Sequence, residues 1–418
     1  MSDGKTTRVG YGAAVASREF RAIFVGQLVS VAGTSVAAVA LTIVVFRRTD
    51  SPLLASLTFA LGFLPYLLGG GLLSSIVDRV RPRRLVVASS TASAMLAALM
   101  AWPAIPVPIL LALLLAVGTL SSVSGGARVA LVRSSVSDDA YVPARSLMRI
   151  AAQFAQIGGN ALGGVLLIVL TTSGALLVNA ASFAFSAAVV RLFVADYPNV
   201  GERSHAALLR DSLHGARSVL GHAELRRLLL LGWLAPMFAV APEGVAAPYV
   251  AHHHGSSAQV GWWLVALPLG VIAGDVFGVR FLTAHQQRVL VAPAAVASFV
   301  PYLAFVLDPR FPIAICLLVA SGMCGLYSLG LDARVRDAAP PRLFARAMTL
   351  NTAGLMTLQG IGFTLAGAVA QGFGASAAIA IAGGCGIVST VVLLRPDRRS
   401  TASHAPETPR AEAQAESG

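Results

Sequence analysis

From Arg21 to Leu394 the chain is one apolar run after another, each roughly 18 to 25 residues, the length of helix that crosses about 30 Å of hydrocarbon. A soluble chain of this size splits into domains joined by polar linkers and carries about 25% charged residues. Here 12% are charged and 56% are hydrophobic, and the mean hydropathy is +0.75. The pattern predicts an all-α, polytopic membrane protein embedded in a lipid bilayer. The pattern disfavours a β-barrel, whose strands alternate and run only about 10 residues. A net charge of +12 suggests nucleic acid in a soluble protein, but these arginines sit between apolar runs, where membrane topology accounts for them. Cys316, Cys324 and Cys385 fall inside apolar runs and read as packing residues. No cleavable signal peptide is apparent ahead of the first run.

Twelve spans are expected, at 21–46, 53–77, 84–103, 107–131, 147–170, 174–195, 228–251, 258–282, 288–307, 311–331, 346–370 and 374–394. They divide the chain into an N-terminal tail (1–20), a six-helix half (21–195), a polar central loop (196–227), a second six-helix half (228–394) and a polar, disordered tail (395–418). With the N-terminus in the cytoplasm, 28 Lys and Arg fall on the cytoplasmic side, and Arg47, Arg48 and Arg310 fall outside. The positive-inside rule then places both termini in the cytoplasm of a cell-membrane protein.

A weak repeat links the halves. "GARVALV" at 126–132 is echoed by "DARVRD" at 332–337, and "PARSLMRIAAQFAQIGG" at 143–159 by "FARAMTLNTAGLMTLQG" at 344–360. Duplicated transporters have such halves, with the substrate path between them.

The stretch "GGGLLSSIVDRVRPRRLVVAS" at 69–89 lies between spans two and three. Ser74, Asp78, Arg79, Arg83 and Arg84 there resemble the loop motif of the major facilitator superfamily, with Ser74 for its first Gly and Arg81 for its middle Gly or Asp. Over residues 18–394 the chain is similar to the twelve-span multidrug and macrolide-efflux-like branch. "GARVAL" followed by "SDDAYVPARSL" matches that branch, and "QIGGNALGG" is similar to its span-five antiporter motif. There Gly159, Gly163 and Gly164 permit close helix approach, while Asn160 replaces the family's Pro. The branch's span-one carboxylate is also missing, at Gly33-Thr34. The resemblance implies two rocking halves, with Asp78 and the basic residues as a gating latch across the seam. A topology role for the arginines is the plainer alternative.

Charges at membrane depth are costly and mark function. Glu243 lies in "APMFAVAPEGVAAPYVA", where Pro236, Pro242, Gly244 and Pro248 predict a broken helix, a common way to build a binding site. Proton or substrate coupling is expected of it, unless it sits at the wet end of the span. Asp275 in span eight can face the cavity, pair with Arg280, or be the second half's counterpart of Asp78. Gln27, Arg128, Gln156, Asn179, Asn351 and Gln359 are possible cavity residues; amides among them can instead tie helices together, and Arg128 can snorkel to the interface. His252, His253 and His254 lack a Cys or carboxylate cluster and read as loop filler, with no metal site.

No Gly-x-x-x-x-Gly-Lys stretch is present, and Lys5 is the sole lysine, which disfavours ATP-driven transport by this chain. No catalytic cluster or cofactor motif is apparent, so an enzyme is not expected. The leading expectation is a monomeric secondary transporter exporting a hydrophobic or amphiphilic small molecule in exchange for protons. Uptake of a nutrient by symport, and a transport-inactive scaffold or receptor, are the alternatives. Aromatics at 7% lean against the stacking pockets that sugars use.

Overall fold

A computed structural model of the chain describes residues 11–68, 80–197, 217–340 and 343–394. Secondary structure among them is helical throughout. A short helix α1 (Tyr11–Ala16) is followed by α2 (Arg18–Thr49), α3 (Pro52–Leu68), α4 (Pro82–Met100), α5 (Val107–Ser135), α6 (Asp138–Val169) and α7 (Thr172–Phe193). After the central loop come α8 (Ala223–Ala239), α9 (Ala241–Gly244), α10 (Ala246–His252) and α11 (Ser257–Phe281). The last part holds α12 (Ala284–Val289), α13 (Val291–Ala297), α14 (Val300–Leu303), α15 (Phe311–Met323), α16 (Tyr327–Ala338), α17 (Phe344–Phe373) and α18 (Ala375–Leu394).

Nine helices among the described residues are long and apolar enough to cross a membrane, and Pro52–Phe63 and Val291–Leu307 are shorter apolar helices. Their outward faces are apolar: Val169 and Leu307 are 82% and 83% exposed. Lipid, not water, satisfies such a surface, and the backbone polar groups are satisfied inside each helix. Two expectations need correction. Cys316 and Cys385 lie on exposed faces of their helices and are not packed in the interior. The span expected at 288–307 is shorter and irregular: its apolar helix covers Val291–Leu307, divided into α13, α14 and a closing 3-10 turn, Ala304–Leu307. Pro293 and Pro301 each remove a helix donor there.

The helices before and after the central loop form two packed sets. In the first, α2 lies against α6 and α7, and α4 against α5 and α7; in the second, α8 packs on α17 and α18, and α11 on α15. The most extensive contacts between the sets are those of α3 with α17 and of α6 with α11. Glycine sets the closeness of the second pair. A Cβ added to Gly164 would stand 2.7 Å from the Cα of Gly261, so backbone meets backbone there. Gly159 and Gly163 make similar approaches to α2, with an added Cβ 2.6 Å from the Ala32 carbonyl oxygen and 3.1 Å from the Val36 Cα.

Candidate functional site

The helix that carries Glu243 is broken, as its prolines predict. Ordinary helix geometry is lost at Val240 and Val245, leaving α9 as a single turn between them. A break inside a membrane frees backbone carbonyls that need new donors. Side chains from neighbouring helices supply them: Trp263 Nε1–H donates to the Pro242 carbonyl at 2.7 Å, and the Tyr302 hydroxyl to the Ala239 carbonyl at 2.9 Å. Trp263 and Tyr302 are almost wholly buried, so the break is locked in place. It presents Glu243 to the space between the two sets of helices.

That space is a cleft with two lobes. The first, about 450 Å³, is walled mainly by α2, α3, α4 and α5, with Asn179 and Phe183 of α7. The second, about 640 Å³, is walled by α6 and by helices of the second set. Phe63, Gln156, Asn160, Glu243, Met356 and Phe363 line both. Glu243 therefore stands at the junction, and no hydrogen bond or ion pair holds it among the described residues. Phe59 and Phe63 of α3 meet Phe363 of α17 there, with centroids 5.2 and 5.5 Å apart.

The first lobe is lined by hydroxyls and amides. Gln27, Ser30 and Thr34 recur along one face of α2, and Ser121, Ser124, Gly125 and Arg128 along one face of α5. The spacings of three and four residues are those of a helix stripe. Arg128 donates from one terminal nitrogen to Gln27 Oε1 at 2.7 Å and from the other to Ser186 Oγ at 3.1 Å. Its Nε–H is buried with no acceptor, as are the hydroxyls of Ser90 and Ser124. Asn179 lines this lobe and accepts a long bond from Thr34 at 3.5 Å. Arg128 therefore faces the cleft and does not snorkel.

In the second lobe, Asp275 shares the wall with Gln359. One Asp275 oxygen is buried without a partner. The expected alternative of a pair with Arg280 does not form among the described contacts; Arg280 lies over the Phe281 ring instead. Asp332 on α16 acts on Asp275, and in turn feels Arg149 from the first set and Arg336. Asn351 requires a correction. It lines neither lobe, because its carbonyl groups accept the buried Trp233 indole N–H at 3.1 Å, a donor that must find a partner.

Ser74, Asp78 and Arg79 lie outside the described residues. The rest of their loop is tied within the first set. Arg81 and Arg84 reach Asp196, just past α7, at 2.8 and 3.3 Å, and Arg83 donates to the Arg191 carbonyl. The hydrogen bond from Arg81 holds the Asp196 carboxyl below its ordinary range, against the opposing pull of partial desolvation. Sequence reading missed Asp196, which meets Arg81 across 115 positions. The histidine run also needs correction, since a carboxylate does meet it. Asp308 takes His252 and His253, each at 3.2 Å, and accepts from Ser376. His254 takes no part; its backbone turns left-handed, with φ of 53°. Asp308 itself has a left-handed φ of 46°, a conformation Asp tolerates at turns.

The fold matches that of known transporters. The chain is 25% identical over 389 residues to the enterobactin exporter EntS of Citrobacter koseri, covering 90% of this chain and 91% of that one. Its fold is similar to the nucleoside transporter NupG (TM-score 0.71, 11% identity, 90% of this chain and 98% of that chain). It is also similar to a D-xylose-proton symporter (TM-score 0.67, 13% identity, 92% and 98%). The Major Facilitator Superfamily model matches twice, at residues 23–242 and 228–417. The chain, a helical membrane protein with a cleft between two matching sets of helices, belongs to the Major Facilitator Superfamily of transporters.

Proposed function

We propose that this transporter exports an amphiphilic small molecule in exchange for protons, by alternating access of the cleft. Residues 21–195 and 228–394 act as the two rocking halves, and both termini face the cytoplasm of the cell membrane. The observation that carries the reading is the position of Glu243: a carboxylate on a broken helix, without a partner, at the junction of both lobes. A carboxylate so placed can take a proton or give it up as the cleft turns, and Asp275 offers a second such group. Likeness to an exporter over nine-tenths of both chains supports the outward direction.

Glu243→Gln keeps the shape and removes the titrating group. In inverted membrane vesicles it is expected to abolish proton-coupled uptake of a transported dye, a loss of about a hundredfold, in the range of removing a general acid–base group. Retention of full coupling would show that another group carries the proton. A second reading, nutrient uptake by symport, is favoured by the hydroxyl and amide lining of the first lobe. Cells that accumulate the substrate in response to an inward proton gradient would establish it in place of export.

A further inference from the structure

Arg128 is a cation inside a membrane protein with neutral partners only among the described residues. Its two terminal nitrogens donate to an amide and a hydroxyl, and its Nε–H has no acceptor. A buried charge left without a counter-charge is expensive. The same lobe offers two more unpartnered groups, the hydroxyls of Ser90 and Ser124, whose residues are 2% and 3% exposed. Ser124 is one helical turn from Arg128 on the same face of α5. Nothing fills the space beside Gly125 on that face, nor beside Gly62 across the lobe. The apolar counterpart is the Phe59, Phe63 and Phe363 cluster at the far wall.

The approach is positive as well. A second cavity of about 430 Å³ meets the first lobe at Gln27, Gly125 and Arg128. Arg145 and Arg149 line it, and no carboxylate does among the described residues. Clefts walled by one sign of charge concentrate ions of the other sign.

We infer that the cargo is an amphiphilic acid, a carboxylate or phenolate on an aromatic or aliphatic body. Its oxygens accept from Arg128 and the Ser90 and Ser124 hydroxyls, and its body lies against the phenylalanine cluster. The inference rests on the reading that this cleft carries cargo, and it excludes lipophilic cations. Cargo and protons then occupy different groups, the acid on Arg128 and the protons on Glu243 and Asp275.

Equilibrium binding to the purified full-length protein tests it, with 2-naphthoate, its methyl ester and 2-naphthylmethylammonium as probes. Naphthoate is expected to bind more tightly than either of the others by on the order of tenfold or more, as for a charge-assisted hydrogen bond. Arg128→Gln should erase that preference and leave the ester's affinity in place. Arg128→Lys, which keeps the charge and serves as the folding control, should retain part of it, and Ser124→Ala should weaken naphthoate severalfold. The inference is overturned if the ammonium binds as tightly as naphthoate, if naphthoate does not bind, or if Arg128→Gln weakens acid and ester equally. Naphthoate bound but never moved by a proton gradient would sink the export reading and leave the anchor standing. Glu243-dependent export of the ammonium would do the reverse.

Discussion

The two ends of the cleft are built differently. At the end holding the loop after α2, the halves touch. Arg47 donates to Ser257 at 3.4 Å, Ser51 to Gln371 at 2.7 Å, and Gly164 meets Gly261 backbone to backbone. At the arginine-rich end, the ion pairs among the described residues stay inside one half: Arg81 and Arg84 with Asp196, and Arg288 with Asp337 at 2.9 Å. Ile150 and Phe154 line the second lobe there and are 43% and 59% exposed. The cleft is thus closed at one end by glycine contact and open at the other.

The strongest way to break that contrast is to wedge the closed end. Gly164→Leu sets a side chain against the Gly261 backbone, which no rotamer can relieve. Overpacking costs about 1–3 kcal/mol where side chains can yield, so transport should fall by at least about tenfold. Gly158→Ala on the same helix has open space beside it and should transport normally. Equal activity in both variants would show that the glycine contact does not close the cleft.

The open end is tested by its charges. Arg149 acts on Asp332 across the halves without forming an ion pair. If they close this end, Asp332→Arg should slow turnover severalfold by like-charge repulsion, and adding Arg149→Asp should restore it. Failure of the double variant to recover any activity would remove the pair from the gate.

The smallest effect concerns the histidine clamp beside the closed end. Burial alone would raise the Asp308 carboxyl, but the Ser376 hydrogen bond and the neighbouring His253 and His252 outweigh it and hold it below its ordinary range. A depressed carboxyl stabilises the fold above its unfolded value of about 4, and the gain is lost as pH falls through the folded value. Melting of purified protein between pH 6 and 3 should therefore show an acid-side loss that Asp308→Asn flattens, by a degree or two in Tm at most, since the group is partly exposed. Identical curves would show that the clamp contributes nothing.

The membrane-spanning helices were legible because hydrocarbon thickness sets their length. The break at Glu243 was legible because Pro236, Pro242 and Pro248 forbid a regular helix, and the close approaches at Gly159, Gly163 and Gly164 because small residues mark them. Partners were not legible. Asp196 meets Arg81 across 115 positions and Asp308 meets His253 across 55, distances over which no local pattern survives. The stripe Ser121, Ser124, Gly125, Arg128 was visible at helical spacing, but serines in an apolar run serve equally as glue between helices. Only assembly showed that this face looks into a cavity. Asn351 failed for the same reason: its partner Trp233 lies on another helix.

The contact between Gly164 and Gly261 has a mechanical consequence. Gly164 lies near one end of α6, a helix of 32 residues. The 26 residues back to Asp138 span about 39 Å at 1.5 Å per residue. A rotation of about 10° around that contact therefore moves the Asp138 end by about 7 Å, the thickness of an aromatic ring and its clearance. With no side chain at the bearing on either helix, the turn requires no exchange of rotamers. Under the proposed rocking of the halves, two hydrogen atoms on facing α-carbons are all that this turn has to pass.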